Sequence, residues 1–346
     1  MRTLLLTDLH FTTTPRGLLD AQKKCVLDII KQEKPQEVII LGDVFMKRRP
    51  SARVLLAVKE IVDYLKRKKV NLIILRGNHD SASKADDGIT SLSLYNYHAD
   101  VITEHTVDHM WKRVYIPHYE NEENIIRYLR EAPKGYTIFG HFGYFGCLNS
   151  VGDADFGLSL SEFHNRTFLG HIHNFNQRYS ETSDSVTFLG TSYTTNFSEA
   201  GKSNYYAVLE DGPVCSGQSG ETNEVSFKEA TSGPKHIILD HDNLDDSELI
   251  EDNFFKIVRV YVSKLSDGGN HLIAKEYIDK YPIDCLEIKY KPVFDGDEEN
   301  FYNPKEKLFC LSHKMLKDYV TNSATTIEKD YILSGLDIIN NAYQED

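Results

Sequence analysis

The sequence has few cysteines and no long apolar stretch. Its five cysteines lie far apart and form no Cys-x-x-Cys pair, so reduced, mostly buried thiols are expected rather than a disulfide framework. No apolar run approaches the roughly 18 residues that a membrane helix requires, and the N-terminus enters a strand pattern without a cleavable signal. We therefore expect a soluble cytoplasmic protein that does not bind membranes.

Basic residues are also in the minority. The 346 residues include 39 Lys and Arg against 52 Asp and Glu, a formal net charge of −13. Because binding to a nucleic-acid backbone relies on Lys and Arg that displace counterions, this balance argues against a protein that holds DNA by bulk charge. Two local basic groups remain. Residues 47–49 with Arg53 are expected near the site described next, and residues 66–69 are typical of a helix C-terminus.

Five short motifs contain candidate metal-binding or catalytic residues, and all five occupy the same position relative to a predicted strand. Each places Asp, Asn or His directly after a short apolar, β-branched run, which is the pattern of a buried strand. The motifs are Asp8-Leu9-His10, Gly42-Asp43, Gly77-Asn78-His79-Asp80, Gly140-His141 and Gly170-His171-Ile172-His173. Since the carboxyl ends of strands in an α/β sheet border one crevice, we expect these side chains to share a pocket.

The residue types match a two-metal phosphoesterase site. Two divalent ions about 3.5–4 Å apart can clamp an in-line phosphoryl displacement, for which they need a bridging carboxylate and further oxygen or imidazole ligands. Asp43 is the natural bridge. His79 lies beside the candidate ligand Asn78, and we predict that it is catalytic, with Asp80 orienting its ring. Ligands without thiolate suit Mn, Fe or Zn, and affinity order alone does not choose among them.

In the order and form of these motifs, the chain resembles the calcineurin-like metallophosphoesterases. More narrowly it resembles the SbcD-type DNA repair nucleases, including the short versions carried by large bacteriophages. Protein phosphatases of the wider superfamily usually follow the Gly-Asp with Asp-Arg-Gly, whereas Val44 and Phe45 follow it here, and their third motif usually ends in Glu rather than Asp80. The segment Arg49-Pro50-Ser51 also resembles one found in many nuclease members.

The resemblance implies a ligand set for each ion. One ion would be held by Asp8, His10, Asp43 and His173, and the other by Asp43, Asn78, His141 and His171. It also implies that His79 is the catalytic acid and that manganese is the expected metal, with magnesium as the alternative. Archaeal and eukaryotic nucleases have a second active-site His, and other bacterial and phage members an Asp, at the position of Met46. A methionine can neither shuttle a proton nor make a charged contact there.

Nine histidines fall outside the motifs. We expect each to be a surface or hydrogen-bonded residue rather than a ligand; the weakest case for this is His118, which follows Ile116-Pro117. The nine are His98, His105, His109, His118, His164, His236, His241, His271 and His313.

The remaining pattern predicts an α/β fold with a two-sheet β-sandwich flanked by helices. Residues 1–233 would form this metallophosphoesterase domain, with helices over Asp20–Lys34 and after Ser51, and with strands from Phe168 onward, through Tyr205–Leu209, in the second sheet. Residues 211–223 are predicted to be an exposed loop, followed by a returning strand.

Two smaller units are predicted after this domain. Residues 234–296 would form a strand–helix–strand module, which resembles the capping domain with which nucleases shape DNA access. Its elements are Phe254–Val262, Leu272–Tyr281 and Cys285–Tyr290. Residues 297–346 would form a tail of two amphipathic helices, Lys307–Tyr319 and Thr326–Tyr343. The resemblance implies that this tail docks on an SMC-like coiled-coil ATPase and that the phosphoesterase domain forms a homodimer.

Three functions remain open at this point. The first is a DNA nuclease subunit that works with the ATPase in recombination and repair and acts on DNA ends as an exonuclease, with or without endonuclease action. If the protein is phage-encoded, its location would be the host cytoplasm. The second is a stand-alone phosphodiesterase or phosphatase for small phosphates. The third is a DNA-end scaffold with an incidental metal site. The full ligand set disfavours the third function, and the extra module and tail disfavour the second.

Overall fold

The computed structural model describes residues 1–147, 158–180, 184–210, 224–251, 253–263 and 269–291. Its helices within this part of the chain are α1 Leu18–Glu33, α2 Ala52–Lys68, α3 Glu122–Glu131 and α4 Gly269–Lys280. Its strands are β1 Arg2–Leu6, β2 Glu37–Ile40, β3 Asn71–Leu75, β4 Ala99–Ile102, β5 Thr106–Asp108, β6 Arg113–Ile116, β7 Thr137–His141, β8 Thr167–Gly170, β9 Asn176–Tyr179, β10 Ser185–Phe188, β11 Tyr205–Glu210, β12 Glu224–Glu229, β13 Gly233–Asp240, β14 Phe254–Val262 and β15 Cys285–Tyr290.

Two mixed sheets of six strands form the main body. The first has the order β12-β11-β1-β2-β3-β4, and the second has the order β5-β6-β7-β8-β10-β9. Strands β1 to β4 are parallel, as are β6, β7, β8 and β10. The antiparallel strands lie at the sheet margins, where β11 and β12 extend the first sheet and β5 and β9 close the second.

The hydrophobic residues form three layers. Leu5 and Ile39 of the first sheet meet Phe139 and Phe168 of the second between the sheets. The neighbouring residue Leu4 points the other way, towards the layer formed with α1 and α2, and α3 covers the outer face of the second sheet. Because the central strands are buried on both faces, their sequences are continuous apolar runs rather than alternating ones.

The predicted fold class is confirmed, with one correction to the strand assignment. Strand β11 does not join the second sheet; it pairs antiparallel with β1, with Leu4 opposite Val208, and β12 returns beside it. Alternation of apolar residues shows which face of a strand is buried but not which strand is its neighbour. Helix α2 begins directly after Ser51, although the Ser51 side chain makes no capping hydrogen bond.

The last three strands form a separate parallel sheet, in the order β13-β14-β15. Their apolar residues pack with α4, where Ile237, Val258 and Tyr277 are buried together. Strands β14 and β15 have the predicted bounds. Strand β13 is not predicted by the sequence pattern; it begins at Gly233, at the predicted boundary between residues 1–233 and 234–296. Strand β13 also contacts α1 of the main body.

Several predicted segments lie outside the described residues. These are the loop 211–223 and both helices of the tail. The division into three domains therefore stays a prediction. Among the helices of the described residues, none combines the length and hydropathy that a membrane crossing would need.

Candidate metal centre

The five motifs meet at one edge of the sandwich. Asp8, Asp43 and Asn78 follow β1, β2 and β3 of the first sheet, while His141 ends β7 and His171 follows β8 of the second sheet. Both sheets therefore contribute side chains from the carboxyl ends of their parallel strands. The structure brings the motifs together: ligand atoms of Asp8, Asp43 and His141 lie within 4.8 Å of one another, and Asn78 Oδ1 lies 3.1 Å from His141 Nε2 and 3.2 Å from His171 Nδ1.

The backbone at this edge adopts an uncommon conformation. Asp8, His10, Asp43 and His171 have φ angles of 51°, 43°, 51° and 82°, which side-chain-bearing residues rarely adopt. Hydrogen bonds hold the turns in place: the Asp8 N–H donates to Gly42 O at 3.1 Å, and the His10 N–H donates to Asp43 O at 2.9 Å. Such strain is retained where the surrounding structure fixes it, often at functional sites.

Two motif glycines are required by the close approach of their neighbours. A Cβ on Gly77 would lie 2.1 Å from Asp43 Oδ1, and a Cβ on Gly42 would lie 2.4 Å from His141 Nδ1. Any side chain at either position would displace a carboxylate or imidazole of the centre. This explains on steric grounds why glycine precedes the ligand residues in the sequence.

Four side chains form a first ligand set. His10 Nε2 lies 3.0 Å from His173 Nε2, 3.6 Å from Asp43 Oδ2 and 3.8 Å from Asp8 Oδ1. His173 Nε2 lies 3.7 Å from the same Asp8 oxygen. Two ligand atoms that each lie about 2.1 Å from one ion, at right angles, are separated by about 3.0 Å. The spacing of the Asp8, His10 and His173 atoms therefore fits one divalent cation, and Asp43 joins this set through its oxygen near His10.

A second set lies on the other side of Asp43. Asn78 Oδ1 is 3.1 Å from His141 Nε2 and 3.2 Å from His171 Nδ1, and His141 Nε2 is 3.4 Å from Asp43 Oδ1. Asp43 thus presents Oδ2 to the first set and Oδ1 to the second. The structure brings together the same two groups of residues that the resemblance implies, and carboxylate, amide and imidazole donors suit Mn, Fe or Zn.

His79 lies at the partly exposed rim of the centre. Its ring is 4.9 Å from the His10 ring, centroid to centroid, and its backbone N–H donates to Asp43 Oδ1 at 2.8 Å. His79 Nδ1 is 2.8 Å from Met46 O. A carbonyl can only accept, so Nδ1 carries a proton and Nε2 is left for proton exchange. Met46 therefore positions His79 through its main-chain carbonyl group, so this contact does not depend on the Met46 side chain.

Asp80 does not orient the His79 ring, contrary to the prediction. Its carboxylate accepts hydrogen bonds from the backbone N–H groups of Gly77 at 3.0 Å, Phe45 at 3.1 Å and Val44 at 3.3 Å. Asp80 therefore links the loop after Gly42-Asp43 to the loop that begins at Gly77, and it is a positioning residue. Burial and the negative charge of Asp43 raise the pKa of Asp80 to about 7, and the N–H donors act against this shift.

Glu199 was missed by the sequence analysis. Its Oε1 lies 2.6 Å from His173 Nδ1, and the carboxylate is held by the Thr195 N–H at 2.6 Å, the Thr195 hydroxyl at 2.7 Å and Asn196 Nδ2 at 2.8 Å. Carboxylates in this position orient metal-binding histidines. A signal was present, since Asn196-Phe197-Ser198-Glu199 has the spacing of a helix capping box.

The histidines of the centre differ in pKa because their neighbouring charges differ. Burial lowers the pKa of His10 to about 4. Burial also acts on His141 and His173, but the Asp43 carboxylate raises the pKa of His141 to about 9, and the hydrogen bond to Glu199 raises that of His173 to about 9. The charge of His141 in turn holds the Asp43 pKa far below its usual range, in spite of burial. A cation that binds here must compete with protons.

The described histidines outside the motifs mostly follow expectation; His313 and the side chain of His271 lie outside the described part of the chain. The rings of His98 and His109, for example, lie 3.1 Å from Val70 O and 3.0 Å from the Tyr136 hydroxyl. The expectation is wrong for His118, a half-buried residue beside the second ligand set. Both of its ring nitrogens are buried and have no hydrogen-bond partner among the described residues. Burial and the neighbouring histidines lower the pKa of His118 to about 3.

The basic group after Asp43 is only partly available to a ligand. The Arg48 guanidinium donates to Ser83 O at 2.5 Å and pairs with Glu120 at 3.2 Å, so it fixes surface loops. Lys47 and Arg49 are exposed. Residues 66–69 lie at the end of α2, as predicted.

A model of the calcineurin-like phosphoesterase family matches residues 1–262, and the chain belongs to this family. The fold and the site thus define a metal-dependent phosphoesterase, a class of hydrolase. No curated protein sequence is significantly similar to the chain.

Solved structures to which the chain is similar include a phosphatase, a phosphoesterase and a nuclease. A dimetal phosphatase from Danio rerio is 13% identical with a TM-score of 0.39, over 61% of this chain and 93% of that one. The phosphoesterase Yfce from E. coli is 19% identical with a TM-score of 0.29, over 61% and 88%. The nuclease MPE from Pseudomonas putida is 18% identical with a TM-score of 0.30, over 59% and 83%.

Proposed function

We propose that this chain is a two-metal DNA nuclease that hydrolyses phosphodiester bonds as the nuclease subunit of a recombination and repair complex with an SMC-like ATPase. The observation that carries the proposal is the position of Asp43, which presents one carboxylate oxygen to each ligand set. A bridging carboxylate between two such sets is the arrangement that in-line phosphoryl displacement requires. The other first-set ligands would be Asp8, His10 and His173, and the other second-set ligands Asn78, His141 and His171.

Residues next to the two ligand sets would supply the proton transfer and hold the ligands in position. Bound divalent ions, with manganese expected and magnesium as the alternative, would polarise the phosphate and lower the pKa of a nucleophilic water. His79, whose Nδ1 lies 2.8 Å from Met46 O, would act as an imidazolium that gives its Nε2 proton to the leaving oxygen and keeps its Nδ1 proton. Glu199 fixes the ring of His173, and Asp80 fixes the loop that carries Asp43. These contacts leave the rim at His79 and Asn78 partly exposed for the substrate.

The third sheet supports a DNA substrate, because it packs on a segment of the centre. His236 of β13 donates its N–H to Thr194 Oγ1 at 2.7 Å, and the Arg259 guanidinium of β14 lies 3.8 Å from the centroid of the Phe197 ring. Residues 194–199 also carry Glu199. A module docked beside the ligands suits a long substrate that needs a guided path, whereas a small phosphate needs none.

The partners form part of the same proposal and rest on the sequence. Residues 297–346 would dock on the coiled coil of the ATPase, while the homodimer would form through helices of the phosphoesterase domain. Removing residues 300–346 should leave metal binding and basal cleavage intact and should abolish association with the ATPase. A truncated chain that unfolds, or that binds the ATPase with undiminished affinity, would refute the docking role.

The direct test is a cleavage assay of the purified protein with Mn²⁺ or Mg²⁺. Linear, nicked and circular DNA are compared with a chromogenic phosphodiester, with Asp43→Ala as the inactive variant and the exposed Asp100→Ala as the matched control. The proposal predicts that wild type and the control cleave DNA and that the Asp43 variant does not. Activity confined to the chromogenic substrate would instead indicate a phosphodiesterase for small molecules.

A further inference from the structure

His118 is fixed to the strand end that carries a candidate ligand. It follows β6, and its backbone N–H donates to Arg76 O at 2.9 Å while Arg76 Nη2 donates to His118 O at 2.7 Å. Arg76 ends the run that leads into Gly77 and Asn78. Two hydrogen bonds of the His118 main chain to Arg76 therefore hold this residue beside the second ligand set. The imidazole ring takes no part in this attachment.

The imidazole of His118 has no hydrogen-bond partner in the part of the chain that the structure describes. Both ring nitrogens are buried and make no hydrogen bond among the described residues, and the nearest carboxylate, Glu120, stands 3.9 Å from Nε2. A buried polar group without a partner costs free energy relative to an apolar one of the same shape. Such a group calls for an explanation, and a functional role is one of the few available.

The position of the ring indicates what it can reach. Its centroid lies 6.3 Å from that of His141 and 6.2 Å from that of His171. Those two rings are 5.4 Å apart and meet at the Asn78 carbonyl oxygen. The His118 ring thus lies beside the second ligand set, next to the rings of His141 and His171.

We infer that His118 is a substrate-binding residue that donates a ring N–H to a non-bridging oxygen of the scissile phosphate. This inference rests on the proposed function of the centre. The phosphate oxygen supplies the acceptor that the protein lacks, and a hydrogen bond to a charged oxygen is stronger than one between neutral groups. A phosphate monoester product or inorganic phosphate presents the same oxygens, so it should be bound by the same contact.

The test uses His118→Ala and His118→Asn, with the exposed His109→Ala as the matched control. Metal content is measured first, and then the affinity of the Mn²⁺-loaded protein for inorganic phosphate is measured by calorimetry. We expect all three variants to retain the wild-type metal content. His118→Ala should bind phosphate roughly 10- to 100-fold more weakly, and His118→Asn, which keeps an N–H donor, should recover part of the loss. His118→Ala should also raise KM more than it lowers kcat.

Several results would overturn the inference. Unchanged phosphate affinity in His118→Ala would show that the ring does not touch the phosphate. Loss of about one ion per chain would make His118 a metal ligand instead, and a large drop in the melting temperature of both metal-free His118 variants would make it a packing residue. If the wild type cleaves DNA while the variants bind phosphate normally, only this inference fails; if the wild type cleaves no DNA, the proposed function fails.

Discussion

Glu199 Oε1 lies 2.6 Å from His173 Nδ1, and the opposite nitrogen of that ring, Nε2, lies 3.0 Å from His10 Nε2. The carboxylate therefore fixes both the rotation and the tautomer of an imidazole that faces the first ligand set. Glu199 is itself buried and held by Thr195 and Asn196, so its position does not depend on the occupancy of the centre.

Replacing Glu199 by Gln should weaken metal binding at the first set. The amide cannot supply the negative charge that favours the Nδ1 proton, and loss of such a partner typically lowers metal affinity roughly 10- to 100-fold. Titration of metal-free protein with Mn²⁺ measures the effect, and Glu60→Gln, at an exposed carboxylate paired with Lys23, is the control. Equal affinities for both variants would show that His173 is oriented without Glu199.

The His79→Ala variant should keep its metals and its DNA affinity while cleaving DNA roughly 10²–10⁴-fold more slowly. The reason is that His79 is held at the rim by Met46 O and would donate the proton to the leaving oxygen. An aryl phosphodiester has a leaving oxygen that needs little protonation, so the variant should cleave it at a rate nearer to wild type. An equal loss on both substrates would indicate a positioning role.

Metal affinity should rise with pH. The pKa values of His141 and His173 are raised to about 9 in the metal-free protein, by Asp43 and by Glu199 acting against burial. Both rings are therefore protonated near neutral pH, and an incoming cation must displace these protons. Competition by protons is strong below this pKa and disappears above it. Calorimetric titration with Mn²⁺ should show proton release and tighter binding from pH 7 to pH 9; an affinity independent of pH would contradict these protonation states.

Met46→His should change DNA cleavage more than metal content. The main-chain contact of residue 46 to His79 Nδ1 does not depend on the side chain, so the acid stays in place, while the new imidazole adds a proton donor and a polar contact. Stronger 3′-to-5′ exonuclease action is the expected direction. Gel analysis of end-labelled DNA measures it, and unchanged cleavage of every DNA form would show that the position serves only packing.

Much of the fold and of the centre can be predicted from local patterns. Continuous apolar runs such as that ending at Leu41 identify strands buried on both faces, and polar residues directly after them identify the shared edge. The same logic misses features that depend on distant contacts. The pairing of β11 with β1 is one, because neither strand pattern encodes its neighbour. Strand β13 is another, since Gly233 and Pro234 at its start are typical of turns.

The roles of polar residues in the centre were harder to predict than their location. Asp80 is adjacent to His79 in sequence, yet its carboxylate turns to the backbone of Phe45 and Gly77. Glu199 and His118 lie in segments without a recognisable metal motif, and only tertiary packing brings them to the ligands. Neighbours in sequence are a poor guide where strand ends from two sheets converge.

Metal analysis of Asp43→Ala tests whether Asp43 bridges two metal ions. In this variant, none of the remaining ligands can supply the carboxylate that the two ions would share. The two cations would then lie close together without a negative charge between them. After loading with Mn²⁺ and removal of free metal, wild type and Asp100→Ala should hold two ions per chain, and Asp43→Ala should hold neither and cleave no DNA. Two ions retained by the Asp43 variant would contradict the account.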